Sequence, residues 1–419
     1  MSMIPYNMEL FKDADLGTLQ ELEDLLNAID DQILLDTLDK ERKNGRDDYP
    51  NATMWRMYVS FYHFHCPSIS AFKRELERNG QLREVCRMPI RYNKKGKRIL
   101  SPPHSVFTRF EKRLRKHMTL VLSIFNNLTE EMTQSFDDFG KYLSLDGKII
   151  EAYANKPSKK EKTDGRRDLD ADYTVKEYTH TTDKGEVITK TYSFFGYRVH
   201  LIVDAKYELP VLFKVTPASE GEPTVAKELI KNLPLWLKEK AAFLMADRGY
   251  DGRPLQALIE ANGIRPIIDI KNMWKGDTTR QYQETDFIYN YCGDVQYVKE
   301  NGKVIKAQYA GYHKASDSLR YFTHPRDGAG YNEVYIKRSE NPRIFNQVAR
   351  DSYKFKRLYK MRTASERVNA HMDRDDQFET HYIRGLEKLT LRVTMSFIIR
   401  LGLKKVEIEK SHHNNQLVA

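Results

Sequence analysis

Cysteine is scarce in this chain of 419 residues. Only Cys66, Cys86 and Cys292 occur, far apart. That rules out a disulfide framework and regular zinc-ligand spacing, and it points to a reducing, cytosol-type compartment. Long apolar runs are missing as well. The longest near the C-terminus, Val393 to Leu403, is interrupted by Arg400 and falls short of the roughly 20 residues a membrane helix needs. No membrane partner is expected. The opening residues Met1 to Glu9 lack the basic start and apolar core of a secretory leader. No internal repeat or low-complexity tract is present. With 40% hydrophobic and 31% charged residues, the composition is that of a folded chain, long enough for two or three domains.

Acid does not balance base. Sixty-nine Lys and Arg against 59 Asp and Glu leave a net charge of +10, which favours a polyanionic partner. The imbalance is local. Residues 1–50 hold thirteen acids and five bases, whereas Arg91 to Leu120 holds ten bases and one acid. In that second stretch Arg109, Lys112, Arg113 and Lys116 fall on a predicted helix and make a candidate phosphate-binding surface. The alternative is a solvated basic face.

The apolar spacing predicts helices through residues 1–90, an all-α N-terminal domain, then a basic helical connector over 91–135. From 136 to 272 strand and helix patterns alternate, fitting a mixed sheet with flanking helices. Within it, residues 154–190 are expected to be a long polar loop. Asp168, Asp170 and Asp172 cluster there but lack the glycine and distal glutamate of a calcium loop. Residues 273–345 read as a β-rich insertion, 346–410 as a helical completion of the core, and 411–419 as a tail. His63, His65 and Cys66 are read as packing residues.

The most informative stretch is Ala241-Ala-Phe-Leu-Met-Ala-Asp247-Arg-Gly-Tyr-Asp251. A buried strand ends at a carboxylate, and Gly249 lets the chain turn just beyond it. Carboxyl ends of strands are where α/β sheets expose their chemistry. Asp251, just before Gly252-Arg-Pro254, is expected to cap the next helix, leaving Asp247 without a structural duty. A second acid, Asp146, lies 101 positions earlier in Leu143-Ser-Leu-Asp146-Gly. A third, Glu366, sits in Tyr359-Lys-Met-Arg362-Thr-Ala-Ser-Glu366-Arg-Val-Asn. If that stretch is one helix, Tyr359, Arg362 and Glu366 share a face. Three converging carboxylates suit two divalent cations roughly 3.5–4 Å apart.

These segments, with Phe195-Gly-Tyr-Arg-Val-His-Leu-Ile-Val-Asp-Ala and the run Asp48-Tyr-Pro through Phe61, resemble the bacterial insertion-sequence transposases of the DDE type. The resemblance implies a ribonuclease H-like α/β core and a helical N-terminal transposase domain. It implies that Asp146, Asp247 and Glu366 are catalytic and bind two Mg²⁺ or Mn²⁺ ions. It also implies double-stranded DNA partners (element ends and target), a homodimer on DNA, and a cytoplasmic, nucleoid-associated location. Tyr359 and Arg362 are then candidates for the DNA backbone, beside the alternative of a plain Arg362–Glu366 ion pair. One departure stands out: the lysine that relatives carry seven positions after the glutamate is Asp373 here, with Arg374, Arg384 or Lys388 as substitutes. Trp274 could stack on a base, although core packing is its simpler role. Two other readings are a structure-selective nuclease on the same fold and a catalytically silent DNA-binding descendant.

Overall fold

The computed structural model describes residues 16–42, 47–154, 167–181 and 187–418; Met1 to Glu9 lie outside them. The chain forms two compact units: residues 1–137, 150–197 and 370–419 in the first, 138–149 and 198–369 in the second. This division differs from the boundaries drawn on the sequence, because residues 150–197 group with the helices.

In the first unit come α1 (Leu19–Ala28), α2 (Gln32–Arg42), α3 (Asn51–His63), α4 (Ile69–Arg78) and α5 (Gly80–Val85). A two-stranded hairpin follows, β1 (Arg91–Tyr92) with β2 (Arg98–Ile99), then α6 (His104–Lys116) and α7 (Met118–Ser135). Ser68 caps α4 through the Ala71 amide. Leu19, Leu22, Leu25 and Leu26 turn one face of α1 inward, as the 3.6-residue period requires. The organising helix is the last, α13 (Leu386–Val418). It takes in the expected tail as far as Val418. Leu389, Leu391, Val393, Met395, Phe397 and Ile398 are all buried, so its middle is buried on every side and sits among α1, α3 and α7. A Cβ on Gly402 would overlap Leu25, so glycine lets α1 and α13 approach. Two acids of the Asp168, Asp170 and Asp172 cluster serve this helix. Asp168 accepts from Gly385 N and Asp170 from Leu386 N, at 3.2 and 2.9 Å, at its N-terminus. Among the described residues no helix is long and apolar enough to cross a membrane.

A six-stranded mixed sheet is built from β3 (Tyr142–Glu151), β4 (Asp172–Thr181), β5 (Val187–Asp204), β6 (Leu209–Pro217), β7 (Phe243–Ala246) and β8 (Arg265–Ile268). Its order is β4-β5-β3-β7-β8, with β6 also against β5. This is the helix-flanked mixed sheet that the ribonuclease H-like resemblance implies. The long polar loop is corrected here: Asp172 to Thr181 pair antiparallel with Val187 to Gly196 inside the first unit. The sequence hid this hairpin because its apolar side chains, Val175, Ile188 and Tyr192, are exposed and give no buried face to read.

In the second unit β5 turns into β6 around buried Asp204, whose carboxylate accepts from the amides of Gly140, Lys206 and Tyr207 at 2.7, 2.9 and 2.8 Å. Burial still raises its pKa above the ordinary value. Helices α8 (Glu222–Lys231), α9 (Leu235–Lys240) and α10 (Arg253–Ala261) lead through β7 to β8. Then comes a four-stranded meander, β9 (Thr279–Gln281), β10 (Phe287–Asn290), β11 (Val295–Val298) and β12 (Val304–Lys306). A three-stranded sheet follows, β13 (Gln308–His313), β14 (Ser318–Phe322) and β15 (Glu333–Lys337). Tyr289, Val295, Leu319, Tyr321, Ile336 and Phe345 form their shared core. Trp274 packs on that core, edge-on to Tyr289 and with Arg280 4.3 Å from its ring centre. The unit ends in α11 (Tyr353–Lys360) and α12 (Thr363–Arg374), the latter through Asn369.

Asp251 is not the cap expected of it; Gly252 holds that position for α10. Its side chain is wholly buried and accepts from Arg343 Nη2 at 2.7 Å, Lys271 N at 2.8 Å and Gln256 Nε2 at 3.1 Å. The pair ties the start of α10 to the end of the insertion. Arg343→Met should therefore lower the unfolding free energy by about 3–5 kcal/mol in urea titrations, because a buried charge loses its partner. Asp251→Leu added to it should recover most of that loss, and a single-variant cost below about 1 kcal/mol would contradict this role.

Candidate active site

Strands β3 and β7 are parallel neighbours, paired from Tyr142 with Phe243 to Leu145 with Ala246. Strand β8 continues the register, with Ile268 opposite Ala246. The next residue on each strand is an acid: Asp146, Asp247 and Asp269. Adjacent strands run about 4.8 Å apart, so the three acids stand in a row across the sheet. Local contacts then separate them. Arg248 grips Asp269 through Nε at 3.0 Å and Nη2 at 2.6 Å. Asp247 Oδ1 accepts from Gly249 N at 2.7 Å and caps the 3₁₀ turn Arg248–Tyr250. It thus has the structural duty that the sequence reading denied it. Asp146 accepts from Gly147 N on Oδ1 and from Asn369 Nδ2 on Oδ2, both at 2.9 Å.

Helix α12 is fastened to β3 by short side chains. Buried Ser144 lies 3.0 Å from both the Arg362 carbonyl and Ser365 Oγ. Two residues along a strand advance about 6.6 Å, and four residues along a helix advance about 6.0 Å. Ser144 and Asp146 therefore meet Ser365 and Asn369 in step. Glu366 lies between those two contact points.

Tyr359 to Ala370 is not one helix. Met361 and Arg362 form a turn whose amides donate to Leu358 and Tyr359 carbonyls at 2.9 and 3.1 Å. Thr363 Oγ1 and Ser365 Oγ donate back to the Lys360 and Arg362 carbonyls. Such side-chain bonds offer the backbone an alternative to the helix. Tyr359 ends α11, Arg362 occupies the turn, and Glu366 lies on α12. The three still meet: Arg362 Nη2 bonds Glu366 Oε1 at 2.7 Å, and its guanidinium lies 5.7 Å from the Tyr359 ring centre. Burial would lower the Arg362 pKa, but Glu366, Tyr359 and Asp146 together raise it. The plain ion pair is thus present, and Asp146 lies within its electrostatic reach.

A family described as Transposase DDE domain matches residues 141–401. The chain belongs to the DDE transposase family. A solved structure similar to this transposase is the cryo-EM structure of a piggyBac transposase synaptic complex with hairpin DNA. The two share 10% identity at a TM-score of 0.38, covering 97% of this chain and 77% of that one. Among curated proteins none matches.

Sequence reasoning passed over two side chains beside Asp146. One is Asn369. The other is Glu222 at the start of α8, whose Oε1 would sit 2.9 Å from a Cβ on Gly147. Arg198 Nη1 lies 3.6 Å from Glu222. Buried Tyr250 is pushed well above its usual pKa by burial and by Glu222, Asp146 and Asp247. Its fixed neighbourhood therefore contains all three carboxylates. Only the glycine at 147 hinted at this crowding. Among the described residues no three His, Cys, Asp or Glu side chains gather closely enough to hold a metal ion; Glu366 is turned to Arg362.

The basic residues of α6 belong to the first unit. Arg109 and Lys112 are exposed, and with Arg42, Arg91, Arg113 and Lys116 they line a groove of about 950 Å³. Lys116 bonds Glu41, whose pKa is lowered to about 2 by Lys116 and then His117. Arg113 is half-buried, its guanidinium 5.5 Å from the Phe110 ring centre.

A Cβ on Gly249 would lie 2.7 Å from Asp247 Oδ1, whereas one on Gly252 would meet only Pro254 Cδ at 4.0 Å. Gly249→Ala should destabilise by about 1–3 kcal/mol, as overpacking does, while Gly252→Ala stays near wild type in the same urea titration. Equal effects would remove the argument that glycine is needed at 249 for close approach.

Proposed function

We propose that this transposase binds the terminal inverted repeats of its element, cleaves there and joins the freed 3′-hydroxyls to target DNA, with Asp146, Asp247 and Glu366 as its metal-binding acids. The observation that carries the reading is the side-by-side position of Asp146 and Asp247 at the ends of adjacent parallel strands, with α12 fastened to the first of those strands through Ser144. Hard carboxylate oxygens suit Mg²⁺ or Mn²⁺, and the buried, unpartnered Oδ1 of Asn369 adds a further oxygen beside them. Two such ions, when bound, supply activation of the attacking oxygen and stabilisation of the leaving one.

The chain's own residues do the rest. Gly147 N and Asn369 hold the Asp146 carboxylate, and the cap at Gly249 holds Asp247, so neither acid must be ordered during reaction. Glu366 would join them as a ligand on leaving Arg362. Arg362 is then released toward a DNA phosphate, which its planar fork can grip with two bonds, and the Tyr359 hydroxyl can add a third. Water attacks in the first displacement and a 3′-hydroxyl in the second, at the same acids. Joining two ends calls for two protomers on DNA. Exposed Arg109 and Lys112, with Arg113 and Lys116 beside them, supply phosphate contacts away from the chemistry.

Incubation with Mg²⁺ and element-end DNA, followed by sequencing of products, tests the reading. Asp146→Ala, Asp247→Ala and Glu366→Ala should each abolish cleavage and joining while end binding stays within a few-fold of wild type. Wild-type cleavage by Asp247→Ala would reject the site, and cutting without joined products would favour a nuclease.

Binding should weaken steeply with salt. Each duplex phosphate contact contributes roughly −0.9 to the slope of log K against log salt. Arg109→Gln with Lys112→Gln should flatten that slope by up to about 2, measured by fluorescence anisotropy across a salt series. An unchanged slope would return α6 to a solvated face.

A further inference from the structure

Asn369 stands one helical turn beyond Glu366, and its amide is used on only one side. Nδ2 donates to Asp146 Oδ2 at 2.9 Å. A carboxylate can only accept, so the amide cannot be turned the other way round. Oδ1 is then the end of the amide that does not bond Asp146, and among the described residues it is buried with no donor. Buried amide oxygens are rarely left so. The packing that creates this position is rigid. Ser144 and Ser365 fix the helix one turn earlier, and Val368 is fully buried beside it.

We propose that Asn369 is a positioning residue for the Asp146 carboxylate, its Nδ2 fixing that group and its Oδ1 accepting a hydrogen bond from water in the shell of a divalent cation. The inference rests on the metal-site reading given above. Mg²⁺ and Mn²⁺ sites built from one or two carboxylates keep several waters. Partners that hold a ligand or such a water commonly change metal affinity by about 10–100-fold. Asn369 combines both kinds of contact in one side chain. A residue that only fastened α12 would need the donor but not the second oxygen.

The test uses the full chain without DNA, with free Mn²⁺ followed by electron paramagnetic resonance during titration and with thermal melts run alongside. Asp146→Ala should lose Mn²⁺ binding. Asn369→Ala should weaken it about tenfold while melting within a few degrees of wild type. Asn369→Asp retains the shape but sets a second negative charge against Asp146. It should melt lower than wild type without metal and gain more from added Mn²⁺ than wild type does. If Asn369→Ala fails to fold, this metal-dependent rise in Asn369→Asp carries the test alone. Wild-type Mn²⁺ affinity in Asn369→Ala, with binding lost in Asp146→Ala, overturns the inference and leaves the site standing. Retained binding in Asp146→Ala overturns both.

Discussion

The parallel pairing of β3 with β7 is the constraint on which the second unit depends. Its register puts Leu145 opposite Ala246, and the acids that follow are neighbours for that reason alone. A slip of one residue would turn Asp146 to the other face of the sheet. The register is held by burial: Leu143, Leu145, Leu244 and Met245 are almost wholly excluded from water. Apolar residues therefore determine where the acids stand, although they take no part in the chemistry.

The three acids across the strand ends show how local contacts assign different roles to one residue type. Asp269 is matched by a guanidinium, Asp247 by a backbone amide, and Asp146 by an amide on each oxygen. Glu366 is half-exposed and bonded to Arg362, a contact of modest strength at a surface. Such a pair can be exchanged at small cost. That weakness suits an acid whose partner changes when metal and DNA arrive.

Charge is distributed between the two units on different principles. The second keeps a buried pair, Asp251 with Arg343, inside the fold, where it joins distant segments. The first places bases on α6 around a groove and restrains some of them, as Glu41 does Lys116. Counting charges along the chain overstates what a polyanion meets. Among the described residues no carboxylate pairs with Arg109 or Lys112 on their exposed helix face, and they define the accessible part of the run.

Much of this was legible in the sequence. A buried strand ending in Ala-Asp247-Arg-Gly announced a carboxylate at a strand end, and the helix and strand periods located most of the elements. Contacts between distant residues were decided by tertiary structure. The exposed hairpin of β4 and β5 had no buried face to pattern it, and the break at Met361 and Arg362 carries neither glycine nor proline to mark it. Asp251 forms a buried ion pair in place of its expected cap because Arg343, 92 positions away, reaches it. Asn369 was one polar residue in a helix until folding set it against Asp146. Sequence determines which groups a chain has and which face of each element they occupy; only packing decides which of them meet, because hydrogen bonds and ion pairs act over a few ångströms and ignore separation along the chain.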